Sequence, residues 1–92
     1  VPEIVHDAAA SRYELLLDGE VAGFAEYRLR DDTIVFTHTE IREEFEGKGL
    51  GSRLVGGALD QVRETGRTVV PKCPFVARYI ERHPEYRDLL AE

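Results

Sequence analysis

Apolar and polar positions alternate through Arg12-Tyr13-Glu14-Leu15-Leu16-Leu17 and break at Asp18-Gly19. They resume from Val21 to Arg30, with Val21, Gly23, Ala25, Tyr27 and Leu29 on one face. Period two is the mark of a strand, and Asp-Gly supplies the positive φ that a tight hairpin turn needs. A second turn at Asp31-Asp32 leads into Thr33 to Ile41, a run rich in β-branched residues. The three segments predict an antiparallel meander. Val1 to Ser11 shows little period and reads as a lead-in.

Carried along the third strand, the same period puts Ile34, Phe36, His38 and Glu40 on one face and Val35, Thr37, Thr39 and Ile41 on the other. The first face turns from apolar to polar toward its C-terminal end, where a strand leaves a core and meets a site. Arg42 to Gly47 is a charged loop. The spacing then changes. Leu50, Leu54, Ala58 and Val62 recur every four residues, and Val55 and Leu59 widen the stripe, which predicts a helix over 49–64 capped by Gly66. Gly56-Gly57 inside it costs about 1 kcal/mol per residue against alanine, and its small size suits close packing on the sheet.

Arg67 to Val70 predicts a short strand, set parallel to the third by a right-handed crossover. Pro71-Lys72-Cys73-Pro74 opens a second helix, with Cys73 as its cap and Pro74 in its first turn. Phe75, Val76, Tyr79 and Ile80 form the expected buried stripe, and the helix ends before Pro84. Tyr86 to Glu92 predicts one last short helix, anchored by Leu89 and Leu90. The fold class is α+β.

Ninety-two residues amount to one domain with one modest core, and 42% hydrophobic residues make it globular. No apolar run approaches the roughly 18 residues of a membrane span. Val1-Pro2-Glu3-Ile4 lacks the basic and apolar regions of a secretory leader, so a cytoplasmic location is expected. The net charge of −6 argues against nonspecific nucleic-acid binding and suits a cationic acceptor such as an amine. One cysteine excludes an intrachain disulfide, and His6, His83 and the carboxylates make no metal set.

Candidate chemistry gathers around the long helix. Gly47-Lys48-Gly49-Leu50-Gly51, followed by Ser52, sits at its start. First-turn amides have no intrahelical acceptor and the helix dipole is positive there, so such a loop binds phosphate oxygens. A Gly-x-Gly-x-Gly alone is more often a flexible turn; the strand before it and the helix after it give it weight. Cys73 at a helix start beside Lys72 suits a nucleophile or a contact to a thioester, and equally a small buried residue. Glu40 and His38 share a strand face and are alternative general bases, or a solvated strand end and a pocket-shaping residue.

These segments resemble the compact, single-domain branch of the GNAT (general-control-related N-acetyltransferase) superfamily. The likeness is carried by Phe36-Thr37-His38-Thr39-Glu40-Ile41, the Gly-Lys-Gly-Leu-Gly loop, Ala58-Leu59-Asp60, and Val70-Pro71-Lys72-Cys73-Pro74-Phe75-Val76 through His83-Pro84-Glu85-Tyr86. It runs from about residue 12 to residue 86 of one domain spanning 1–92. It implies an acetyl-CoA-dependent transferase whose third and last strands splay to admit the pantetheine arm, with no metal. Gly47, Lys48, Gly49, Leu50, Gly51 and Ser52 would hold the pyrophosphate. Ile41, Pro74 and Tyr79 would contact the rest of the cofactor, and the Ile41 region would offer a backbone donor to the oxyanion. Tyr79 is also a candidate acid for the leaving thiolate, against a reading as core aromatic.

Cys73, with Glu40 or His38, would serve the acyl centre, by direct transfer or through an acetyl-cysteine. In the superfamily the loop begins with Arg or Gln, where this chain has Glu46. The acceptor-binding elements of larger members are missing, so the expected acceptor is an unspecified primary amine. The alternative function is a noncatalytic acyl-CoA-binding or interaction module.

Overall fold

In the computed structural model, which describes residues 2–91, the chain forms one sheet in the order β1-β2-β3-β4-β5. The strands are β1 (Glu3–Asp7), β2 (Arg12–Leu17), β3 (Glu20–Arg30), β4 (Thr33–Ile41) and β5 (Thr68–Pro71). The helices are α1 (Leu50–Thr65) and α2 (Pro74–Arg82), and Pro84–Leu89 is a 3-10 segment. Neighbours from β1 to β4 are antiparallel, and β5 lies parallel to β4 with α1 between them in sequence. The meander, the crossover and the short parallel strand follow the pattern of the sequence. Asp18 and Gly19 both adopt positive φ, at 50° and 81°, the geometry of the tight hairpin.

Two readings at the ends of the chain need correction. The lead-in holds a strand, β1, because Ile4 has a partner: its side chain lies over Gly57 of α1, where an added Cβ would come within 2.5 Å of Ile4 Cγ1. Gln61 also donates to the Ile4 carbonyl at 2.9 Å. The last segment forms the 3-10 turn at Pro84–Leu89 rather than a helix to Glu92, and Val1 and Glu92 themselves lie outside the described residues. Leu89 is buried as expected, and Leu90 makes a parallel bridge to Val69 on the outer side of β5, reinforced by Ala91 N–H to the Val69 carbonyl at 2.9 Å.

The core lies between the sheet and α1. Leu54, Ala58, Leu59 and Val62 meet Tyr13, Leu15, Ala25, Ile34 and Phe36 from the strands. The predicted helix stripe is therefore the buried one. On α2 the stripe is narrower than expected: Val76 and Ile80 are buried, Tyr79 is half-buried and Phe75 is 45% exposed.

A bulge in β4 has the largest effect on the site. Tyr27 opposes Phe36 and Glu26 opposes His38, so Thr37 has no partner across β3. One extra residue reverses every later side chain in a strand of period two. Ile34 and Phe36 therefore share the core face with Thr39 and Ile41, while His38 and Glu40 point to the opposite, solvent face. The uninterrupted alternation read from sequence is wrong beyond Thr37.

The aromatic layer links fold to pH. Tyr13 packs near Tyr27 and Phe36, with ring centroids 5.6 and 6.1 Å away, and stacks on His6 at 4.3 Å. Burial pushes the Tyr13 phenol up to about 12, with Tyr27 adding to the rise and Arg67 opposing it. The unfolded phenol ionises near ~10, so the folded state holds its proton longer. This contribution is complete below that pH and is lost as pH rises toward about 12. Urea midpoints measured at successive pH values are expected to hold steady to ~10 and then fall; a flat profile through this window would refute the assignment.

Candidate functional site

The parallel ladder of β4 and β5 is four pairs long, from Thr33–Thr68 to Phe36–Pro71. Pro71 and Pro74 then turn the chain into α2, and Cys73 N–H donates to the Phe36 carbonyl at 2.9 Å. Past that bond β4 continues to Ile41 without β5 beside it. The two strands form a fork.

Backbone alternation fixes what the free arm offers. Arg42 N–H donates to Ala22 on β3 at 2.8 Å, so the peptide groups of Glu40 and His38 also turn toward β3. Those of Thr39 and Ile41 then point to the side that β5 has left. At the base of the fork the Cys73 thiol donates to Thr39 Oγ1 at 3.4 Å. Cys73 is the cap residue of α2, as expected, and is 5% exposed.

The glycine loop faces this arm. Residues Glu43–Phe45 form a 3-10 turn, and Phe45 tucks against the core, which ties down the charged loop. Gly49 is the residue before α1 and has φ 72°, a left-handed value that side chains with a Cβ resist. The amides of Leu50, Gly51 and Ser52 follow in the first helical turn, and the first α1 bond into this cap is Arg53 N–H to the Gly49 carbonyl. A groove of about 390 Å³ runs from Thr39 and Ile41 past Phe45 and Gly47 to Gly51 and Ser52. Glu46 lines it too, where the resemblance asks for a basic or amide residue, and Lys48 Nζ stands 6.0 Å from the Phe45 ring.

Phe75 forms the far wall. Its ring crosses Gly51, where an added Cβ would sit 2.8 Å from Phe75 Cζ. Beyond it a second groove of about 340 Å³ follows α2, lined by Pro74, Arg78, Tyr79, Arg82 and His83 and sharing Ser52 and Phe75 with the first. Tyr79 stacks on His83 at 3.9 Å, and its hydroxyl is turned onto α1 at Gly56. Burial raises its pKa, with Asp60 and Glu85 adding to the rise. It lies about 9 Å along the helix from Cys73, six residues away.

The fork and loop thus bring Ile41, Gly47, Gly49, Leu50, Gly51 and Ser52 into one groove. Pro74 and Tyr79 line the adjoining one. His38 and Glu40 stay together, His38 Nε2 to Glu40 Oε1 at 3.1 Å, but on the other face of β4. There His38 lies against Phe24, 6.1 Å between ring centroids, and Glu40 borders a cleft with Arg12, Phe24 and Arg42. Thr39, Phe45 and Phe75 are groove residues that spacing does not single out. Thr39 needs the bulge to turn inward, and Phe75 reads as a member of an apolar stripe.

A family model described as GCN5-related N-acetyl-transferase matches residues 12–89. Among solved structures, a GCN5-like protein from Staphylococcus aureus aligns with a TM-score of 0.72 at 22% identity, covering 97% of this chain and 87% of that one. The ribosomal-protein-S18-alanine N-acetyltransferase from Escherichia coli aligns with a TM-score of 0.62 at 18% identity, covering 79% of this chain and 50% of the other. N-acetylglutamate synthase from Neisseria gonorrhoeae, solved with coenzyme A and N-acetyl-glutamate, aligns at 0.58 and 19% identity over 78% of this chain and 18% of its own. A search by sequence among curated proteins finds no match.

The contact between Gly51 and Phe75 has a measurable consequence. Alanine is favoured over glycine in a helix by about 0.5–1 kcal/mol, but in this chain its Cβ must push the ring aside. Gly51→Ala is expected to stabilise the Phe75→Ala protein by at least about 0.5 kcal/mol more than it stabilises the parent. Equal effects in both backgrounds, by chemical denaturation, would show that the ring does not rest there.

Proposed function

Because this chain belongs to the GCN5-related N-acetyltransferase family, we propose that it moves an acetyl group from acetyl-CoA to a primary amine, using the glycine loop and the free arm of β4 as the donor site. One observation carries the reading. Leu50, Gly51 and Ser52, whose amides in the first helical turn lack an intrahelical acceptor, line the same groove as Thr39 and Ile41, whose peptide groups turn away from β3. A diphosphate fits the first set, and an amide-bearing arm fits the second as a strand would.

Acetyl-CoA, when bound, supplies an activated thioester. The chain does the rest. Gly47 to Ser52 hold the diphosphate through their backbone donors, and Lys48 adds charge. Ile41 would bond the pantetheine arm, and the backbone N–H of Thr39, two residues nearer the base of the fork, would face the oxyanion. Cys73 and Thr39, bonded to each other at the fork, serve the sulfur end. The amine arrives protonated and must lose that proton before its lone pair attacks. Glu40, held by His38, is the base, on the solvent face of β4 where an acceptor has access. The new C–N bond would form as the C–S bond breaks, and the proton that the acylated nitrogen then sheds would go to the departing thiolate. The burial of Cys73 favours a contact role over an acetyl-cysteine, since little of the sulfur is open to an approaching carbonyl carbon.

Calorimetric titration with CoA tests the donor site. The folded Gly49→Asp, Gly51→Asp double variant is expected to bind at least about a hundredfold more weakly, because two carboxylates then face the diphosphate. Binding at parental strength would end the reading. Turnover with an amine panel tests the chemistry. Glu40→Gln is expected to lower kcat by about a hundredfold or more with little change in KM for acetyl-CoA. Cys73→Ala is expected to keep measurable activity, and intact-mass spectrometry to find no acetyl adduct on Cys73. Tight CoA binding with no turnover on any amine would favour the noncatalytic module.

A further inference from the structure

The second groove is not used by any step above. It begins at Ser52 and Phe75, the two residues it shares with the donor groove, and follows α2 to Arg78, Arg82 and His83. At about 340 Å³ it is within the range of small-ligand clefts, about 300–1,000 Å³. Arg78 and Arg82 are four residues apart, so their side chains rise from neighbouring turns on one helix face.

The net charge is −6, yet the ion pairs among the described residues engage Arg12, Arg42, Arg63 and His38, and neither groove arginine. Both are exposed. Two unpaired guanidinium groups in one cleft form a local positive field in an acidic protein, and guanidinium matches phosphate by paired hydrogen bonds. Phe75 completes the set. Of the large apolar side chains described, only it and Leu29 stand well exposed, and its ring divides the two grooves. An exposed flat ring beside arginines is a stacking surface for a purine.

We propose that Arg78 and Arg82 bind the phosphate ester on the ribose of coenzyme A, with Phe75 as the stacking face for its adenine, and that this pair makes the protein select coenzyme A over its 3′-dephosphorylated form. The proposal rests on the donor-site reading: a diphosphate on the loop leaves the adenosine end to pass Ser52 and Phe75 into the second groove. The phosphate is a dianion near neutral pH, and each charge-assisted bond adds enough for about a tenfold gain in affinity.

The test is titration of the whole protein with coenzyme A and with 3′-dephospho-coenzyme A, for the parent and for the Arg78→Ala, Arg82→Ala variant, with thermal melts confirming that both fold. The parent is expected to prefer coenzyme A by about tenfold to a hundredfold. In the variant the preference should shrink to within about twofold, because coenzyme A weakens while the dephosphorylated ligand does not. Raising salt should reduce the parent's preference, since both arginines are exposed. Equal affinity of the parent for the two ligands, or an equal loss of both in the variant, would overturn this proposal and leave the donor site standing. Failure of the parent to bind either ligand would overturn the donor-site reading itself, and this proposal with it.

Discussion

A single hydrogen bond, from the Cys73 amide to the Phe36 carbonyl, marks where two parallel strands stop being a sheet. Up to that point each peptide group of β4 has a neighbour on either side. Beyond it, prolines on both sides of Cys73 carry the chain away, and proline has no N–H with which to prolong a ladder. The arm that remains is rigid, because β3 holds its other edge from Gly23 to Glu26. A rigid strand with one free edge binds an extended molecule at little ordering cost. The parallel pair is kept short, and its brevity is what opens the fork.

The bulge at Thr37 divides labour between the two faces of this arm. Thr39 and Ile41 turn toward the helices and the glycine loop; His38 and Glu40 turn toward solvent. With α1 packed on one side of the sheet, the other side of β2 to β4 carries a tier of polar and aromatic groups, among them Arg12 over the Phe24 ring at 4.8 Å and paired with Glu14. A donor held on one side and an acceptor admitted from the other would meet across one strand. The small residues of α1 complete the arrangement: Gly56 and Gly57 let Tyr79 and Ile4 approach the helix, so α2 and β1 both dock against it.

Much of this was legible in the residues. The Asp-Gly turn, the four-residue spacing of α1, the glycine at its end and the Cys-Pro start of α2 each reflect a local rule, and each appears where that rule puts it. The glycine loop was legible for the same reason. What was hidden depends on tertiary contact. β1 is short and charged, and it becomes a strand because Gly57 leaves space for Ile4. The bulge has no local marker, since Phe36-Thr37-His38-Thr39 alternates as well as any regular strand. Without it, His38 and Glu40 were assigned to the wrong face. Phe75 looks like a core residue in a helical stripe, and only the position of Gly51 beneath its ring shows why it stays outside.

The bridge from Leu90 to the outer side of β5 also bears on how the protein behaves in a crowd. A bare parallel edge invites the strands of other molecules, and recruitment of that kind leads to aggregates. The last described residues lie over this edge and occupy Val69, whose carbonyl takes the Ala91 amide. At the opposite margin no described residue pairs with the outer edge of β1, which is five residues long and carries Glu3, His6 and Asp7. The protein therefore guards its two borders by different means: a strap of its own chain on one, and brevity with charge on the other.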